Sequence, residues 1–307
     1  MIKLSVVVVH AAHIEARKPL MQRLRRELGV AEFVDYDEYT RAAAAIPRAP
    51  EVGAYHEETT RGPWWIWHPL VLRAHWEARS MGATHALTLQ DDAIPTAAFW
   101  PILLAMIAGR PNDVICLDPA HPGARRIFLD GDAPGYTTPD GMIGIGYVLP
   151  IPTLDDYARW RLVDTCEPER PELYRMWGED VELAAYCMAR ELPIFHPVPC
   201  PIDHDLTIAS TNDGFDDHWY RKPQVTMAEL ERLDEERAGA LRASVLDPAW
   251  WAKPAPSVGR FYDNVNHLSL ILKDRELAAE LVRKYTEQTT PKRFARFWSR
   301  VAATSAP

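Results

Sequence analysis

The sequence predicts an α/β protein, a mixed, mainly parallel sheet flanked by helices, with a helical region at its C-terminal end. Two observations carry this. Up to about Pro223, short apolar runs of strand length alternate with stretches of helical periodicity, the pattern of successive βαβ units. Beyond it helical patterns dominate. The expected division is therefore residues 1–223 for the α/β domain and residues 224–307 for a helical extension. A chain of 307 residues is long enough to bury a full core either way.

Taken in order, Lys3–His10 is a first strand, an apolar run containing four consecutive valines. Ala16–Leu28 reads as a helix and Glu32–Asp37 as a second strand. Pro69–Met81 is a helix with proline at its start, where the missing N–H costs nothing. It feeds the strand HALTLQ, His85–Gln90. Thr96–Ala108 is a helix, Asp113–Asp118 a buried strand, and Met142–Pro150 a strand whose glycines allow close approach of backbone or ligand. Gly178–Glu191 is an amphipathic helix and Ile194–Asp205 an extended, proline-broken segment. Met227–Leu246, Asp274–Gln288 and Lys292–Ala302 carry the helical patterns of the C-terminal region.

Hydrophobic residues make up 47% and charged residues 25%, the composition of an ordinary globular protein. The net charge of −9 disfavours nonspecific attraction to polyanions. Cys116, Cys166, Cys187 and Cys200 form no C-x-x-C pair, which argues against a zinc site and a disulfide framework and points to reduced thiols in a cytoplasmic setting. No run reaches transmembrane length, and the N-terminal apolar segment lacks signal-peptide flanks. Arginines outnumber lysines 27 to 7, the usage of a GC-rich bacterial or phage genome.

Three segments carry candidate chemistry. In QDDAIP, Asp91 and Asp92 close a buried strand at the edge where open α/β sheets bind ligands. Adjacent like charges persist there when something positive lies between them or when water reaches both, so the choices are a divalent cation, Mn²⁺ or Mg²⁺, and a solvated turn. In MWGEDVEL, Glu179, Asp180 and Glu182 begin a helix, where the macrodipole favours acids without any catalysis, while Trp177 and Gly178 before them offer an aromatic wall and close backbone approach for a sugar. In CPIDHDLTIAST, His204 lies between Asp203 and Asp205, either as a metal ligand held by a carboxylate or as an ordinary surface or core histidine.

In this order the three segments resemble GT-A fold glycosyltransferases, most closely the lipopolysaccharide glycosyltransferase-like group. The block from Trp67 to Pro95 is similar to that family's helix and strand ending in a Glu-Asp-Asp form of the DxD motif, with Gln90 here in place of the glutamate. WGEDVEL resembles the helix start that presents the catalytic base, and IDHDLTIAST the late histidine segment that completes the metal and diphosphate site. The resemblance runs from Lys3 to Thr211 and leaves the C-terminal region without a counterpart.

It implies a metal-dependent transfer of sugar from a nucleotide sugar, UDP-linked by family likeness, to an acceptor hydroxyl on a glycan, a small molecule, a protein or a hydroxymethylated DNA base. Asp92 and His204 would hold the metal, and Asp91 would contact the ribose or a metal-bound water. Asp180, with Glu179 as the alternative, would be the base of an inverting reaction. Arg17 resembles an arginine placed near the donor nucleotide, the plain alternative being a surface arginine at a helix start. Trp64, Trp65 and His68 would lie beside the donor, Trp177 and Gly178 beside the acceptor, though tryptophan clusters are as often core. Two rivals stand against this reading: a nucleotidyltransferase or phosphohydrolase, which also holds a metal on paired acids, and a non-catalytic sugar-binding module. In Lys292–Ala302, Phe294, Phe297, Trp298 and Val301 fall on one side and Lys292, Arg293, Arg296 and Arg300 on the other. That pattern suits either a peripheral membrane contact or packing on the protein's own surface.

Overall fold

Leu4–Val9 (β1) and His85–Gln90 (β2) are extended and parallel, paired from Leu4 opposite His85 to Val9 opposite Gln90. Both strands therefore end at the same edge. The computed structural model describes residues 2–9, 15–28, 79, 82–117, 124–130, 132–139, 145–159, 183–184, 186–187, 190–205, 225–227, 230 and 233–258. The strand expected at Glu32–Asp37, the helix at Pro69–Met81 apart from Arg79, and both helices after residue 258 lie outside them.

After β1, a 3-10 turn, Glu15–Arg17, leads into α1, Lys18–Leu28. β2 is followed by the short strand β3, Ala93–Pro95, and by α2, Phe99–Gly109. Next come β4 (Val114–Cys116), α3 (Ala124–Asp130), β5 (Gly135–Thr138), β6 (Gly146–Pro150) and α4 (Ile151–Arg159). β7 (Ile194–Pro197), β8 (Ile202–His204), α5 (Glu235–Ser244) and the single turn α6 (Pro248–Trp251) complete the described elements.

The main sheet has the order β1-β2-β6-β4-β7-β5. Four strands run one way, while β6 is antiparallel to both of its neighbours and β5 is an antiparallel edge. The expected mixed, mainly parallel sheet is thus present. β5, α3 and α4 were not expected from the sequence. α4 carried a readable signal, since Ile151, Leu154, Tyr157 and Ala158, at helical spacing, are its buried face. β5 is only four residues long, GYTT, too short for alternation to stand out although tyrosine and threonine suit strands.

Helix α2 is apolar almost all round and buries Phe99, Ile102, Leu103, Ala105, Met106 and Ile107, as a helix covered on both sides must. Its outer cover is α6. A Cβ on Gly109 would sit 2.4 Å from the Pro248 carbonyl oxygen, so only glycine lets the two helices approach this closely. Trp251 then inserts fully buried, its indole N–H donating to the Val245 carbonyl at 2.8 Å and its ring meeting Phe195 edge-on. Val225, Leu230, Leu241, Val245, Trp250 and Trp251 all belong to the same hydrophobic core as Leu87, Leu89 and Ile115. The main chain joins in: Cys200 N–H donates to the Val225 carbonyl at 2.9 Å, and Val258 N–H to the Thr137 carbonyl at 3.0 Å. The described residues beyond position 223 are thus packed on the α/β core, and among the described residues of Met227–Leu246 the α-helix is Glu235–Ser244, opened by the Asp234 cap.

His85 begins β2 buried, with Nε2 donating to the Pro111 carbonyl at 2.9 Å. Burial pushes its pKa below the usual 6.5, partly offset by that hydrogen bond. The unfolded chain therefore takes up a proton that the folded chain refuses, and this contribution to stability falls as pH drops through about 6.5. Melting curves from about pH 8 to about pH 5.5 should show a steeper loss for the native protein than for His85→Gln. Equal slopes would remove His85 as the source.

Candidate functional site: an acidic turn clamped by arginine

Asp91 and Asp92 form the turn between β2 and β3, at the edge where β1 and β2 both end. They are not a solvated turn: Asp91 is 1% and Asp92 3% exposed. The positive group between them is Arg17. Its Nη1 donates to Asp91 Oδ1, and its Nη2 donates to Asp92 Oδ2 at 3.2 Å. At 4% exposure Arg17 is no surface arginine, and this overturns the plain reading of a helix-start side chain. The 3-10 turn before α1 carries it from the end of β1 across to the end of β2.

The late histidine segment reaches the same place through a two-stranded ribbon. β3 and β8 are antiparallel, with Ala93 opposite His204 and Ile94 opposite Asp203. The ribbon is closed at one end by Thr96 N–H donating to the Pro201 carbonyl at 3.0 Å, and at the other by Asp205 N–H donating to the Asp92 carbonyl at 2.8 Å. His204, buried, thereby brings Nε2 to 3.3 Å from Asp92 Oδ2, while the Asp203 carboxylate accepts the His204 main-chain N–H at 2.8 Å. Gly146 on β6 makes room, since a Cβ there would fall 2.7 Å from Leu89 Cδ2 and 3.2 Å from Ile202 Cδ1. Of the two glycines expected to admit backbone or ligand, Gly146 faces these core side chains and, at 3.4 Å, the Thr88 carbonyl oxygen, and Gly144 lies outside the described residues.

Asp205 receives a second arginine, Arg23 of α1, whose Nη1 donates to Asp205 Oδ2 at 2.7 Å. Sequence reasoning did not single out Arg23, and no local signal could have done so, because its partner lies 182 residues on. Among the described residues, Arg17 Nε and Arg23 Nε and Nη2 are buried and have no hydrogen-bond partner. Buried guanidinium donors without hydrogen-bond partners suit an oxyanion such as phosphate, two of whose oxygens a planar guanidinium fork can meet.

A divalent cation is a fair match to part of this cluster. Two ligands on adjacent corners of an octahedral Mg²⁺ or Mn²⁺ lie about 3 Å apart, and Asp92 Oδ2 and His204 Nε2 are 3.3 Å apart. Arg17 faces Asp91 and Asp92, and Arg23 faces Asp205 and, at 4.0 Å, Glu27. Among the described residues no three His, Cys, Asp or Glu side chains converge as a complete cage. Such hard cations commonly take one or two protein ligands and fill the remaining positions with phosphate oxygens and water.

Arg17, Asp91, Asp92 and His204 are therefore brought together as a group. Trp64, Trp65, His68, Trp177, Gly178, Glu179 and Asp180 lie outside the described residues. No protein-family model matches the chain, and no curated protein matches it significantly.

Proposed function

We propose that the chain is a metal-dependent glycosyltransferase of GT-A type, moving a sugar from a nucleotide sugar, UDP-linked by family likeness, to an acceptor hydroxyl. The single observation that supports it most is the β3–β8 ribbon, which sets His204 beside the Asp91–Asp92 turn where β1 and β2 end. Asp92 and His204 would hold Mn²⁺ or Mg²⁺, whose chemistry is to neutralise charge growing on a departing diphosphate. Arg17 and Arg23 would turn their unused donors to the same phosphates. Asp180, or Glu179, would take the acceptor's proton. Trp64, Trp65 and His68 are assigned to the donor and Trp177 and Gly178 to the acceptor. Among the described residues no helix is long and apolar enough to cross a membrane.

The test is a melting panel of nucleotides with and without Mn²⁺. A ligand that binds only the folded state at 100 times its Kd adds about 2.7 kcal/mol to apparent stability. Uridine diphosphate with Mn²⁺ should raise the melting temperature beyond the sum of the two alone, and Asp92→Ala should abolish the excess. Calorimetry giving equal diphosphate affinity in chelator and in Mn²⁺ would dismiss the metal role. Release of pyrophosphate from a nucleoside triphosphate, with no turnover of nucleotide sugars, would instead establish the nucleotidyltransferase reading.

A further inference from the structure

We infer that Arg23 is a positioning residue of the candidate metal site: acting through Asp205, it fixes the end of β8 and so the place of His204 beside Asp92. This rests on the metal reading above and adds to it a residue outside the ligand pair, tied to that pair by α1.

Asp92 comes from the turn after β2 and His204 from the last position of β8, far apart in the chain. Their 3.3 Å separation is therefore set by what fixes the two segments to each other. The Asp205 N–H does so on the main chain, donating to the Asp92 carbonyl at 2.8 Å and closing the ribbon at the end where the two side chains meet. Helix α1 does so through side chains. The 3-10 turn entering it brings Arg17 to Asp92, with Nη2 3.2 Å from Oδ2, and the helix itself, packed on β3, brings Arg23 to Asp205, with Nη1 2.7 Å from Oδ2. One helix thus grips both segments, each at or next to a candidate ligand. Asp205 is 7% exposed, and a buried carboxylate that loses a cation must find another or move towards water. Movement of Asp205 carries the adjoining His204 with it. Glu27 gives Arg23 no comparable hold, because it lies 4.0 Å from Nε, outside hydrogen-bond distance, on a side chain 36% exposed. Arg23 need not be the sole partner of Asp205 for this, only a partner that α1 supplies.

The experiment measures Mn²⁺ binding by the loss of the free-ion electron paramagnetic resonance signal in the full chain, Arg23→Gln, Arg23→Lys and Asp205→Asn, with melting curves on the same preparations. Arg23→Gln should weaken Mn²⁺ by about 10- to 100-fold, the usual cost of removing a group that orients a metal ligand. Asp205→Asn should cost about as much, and combining the two should cost little more, since both break one contact. Arg23→Lys should restore most of the affinity, because the contact to Asp205 is one N–H to one oxygen, which an ammonium can also make. A purely structural Arg23 would lower the melting temperature and leave the Mn²⁺ affinity of the folded protein alone, and a purely phosphate-binding one would weaken uridine diphosphate and not Mn²⁺. Either result overturns the positioning role and spares the proposed function. If Arg23→Gln does not fold, or if Mn²⁺ binds only with uridine diphosphate, Asp205→Asn decides, because the aspartate it removes makes no bond to phosphate: lost Mn²⁺ affinity upholds the role of the pair and unchanged affinity overturns it. No Mn²⁺ binding by the native protein, with or without uridine diphosphate, overturns the proposed function and this inference with it.

Discussion

Asp180→Asn should slow sugar transfer by about 10²- to 10⁴-fold, the usual contribution of a positioned general base. Asparagine keeps the size and most of the hydrogen bonding of aspartate but cannot accept the acceptor's proton, so donor affinity should barely move. The competing account of Asp180 is that of an acid in the first turn of a helix, stabilised by the macrodipole. On that account the same change costs about 0.3 to 1 kcal/mol of stability and leaves the rate nearly intact. Melting curves and single-turnover kinetics on one preparation separate these outcomes. Transfer within a few-fold of the native rate would move the assignment to Glu179 or to a retaining mechanism.

Trp251→Ala should destabilise the fold by about 3–5 kcal/mol, the cost of emptying a fully buried tryptophan site. Trp251 is 0% exposed, donates to Val245 and packs against Phe195 of β7, beneath the point where Gly109 admits the Pro248 turn. If instead residues 248–251 were a detachable appendage, denaturant unfolding would show an unchanged midpoint for the main transition. A control at Leu246, which is 49% exposed and one residue beyond the buried Val245, should change little.

Much of the framework was legible in short windows of sequence. The run HALTLQ is β2 at the very residues expected, Lys3–His10 contains β1, and Thr96–Ala108 overlaps α2 closely. These elements announce themselves through β-branched content or apolar density over six to a dozen residues, and burial then agrees with the local preference. Where an element is too short to show a pattern, the reading failed. β5 is a strand because its backbone pairs with β7 from Gly135 opposite Pro197 to Thr138 opposite Ile194, and a Cβ on Gly135 would meet the His196 carbonyl oxygen at 2.0 Å. Nothing within four residues encodes that pairing.

The same division runs through the candidate site. By itself the sequence determined which chemical groups were worth watching: two aspartates ending an apolar strand, a histidine among acids late in the chain, and an arginine just after the first strand. It offered a cation or water as the reason the aspartates tolerate each other. Only the tertiary structure decided that a guanidinium lies between them, that His204 arrives through a ribbon paired with the residues just past the turn, and that Arg23 holds Asp205. The physical reason is range. Periodicity, capping and strand preference act over one or two turns or a few strand positions, and those windows carry their own signal. The Arg17–Asp91 pair spans 74 residues and the Arg23–Asp205 pair 182, so each exists only once β1 has aligned with β2 and β8 with β3. Those alignments are selected by burial of the whole core, to which even Trp251 contributes, and no local stretch contains that sum.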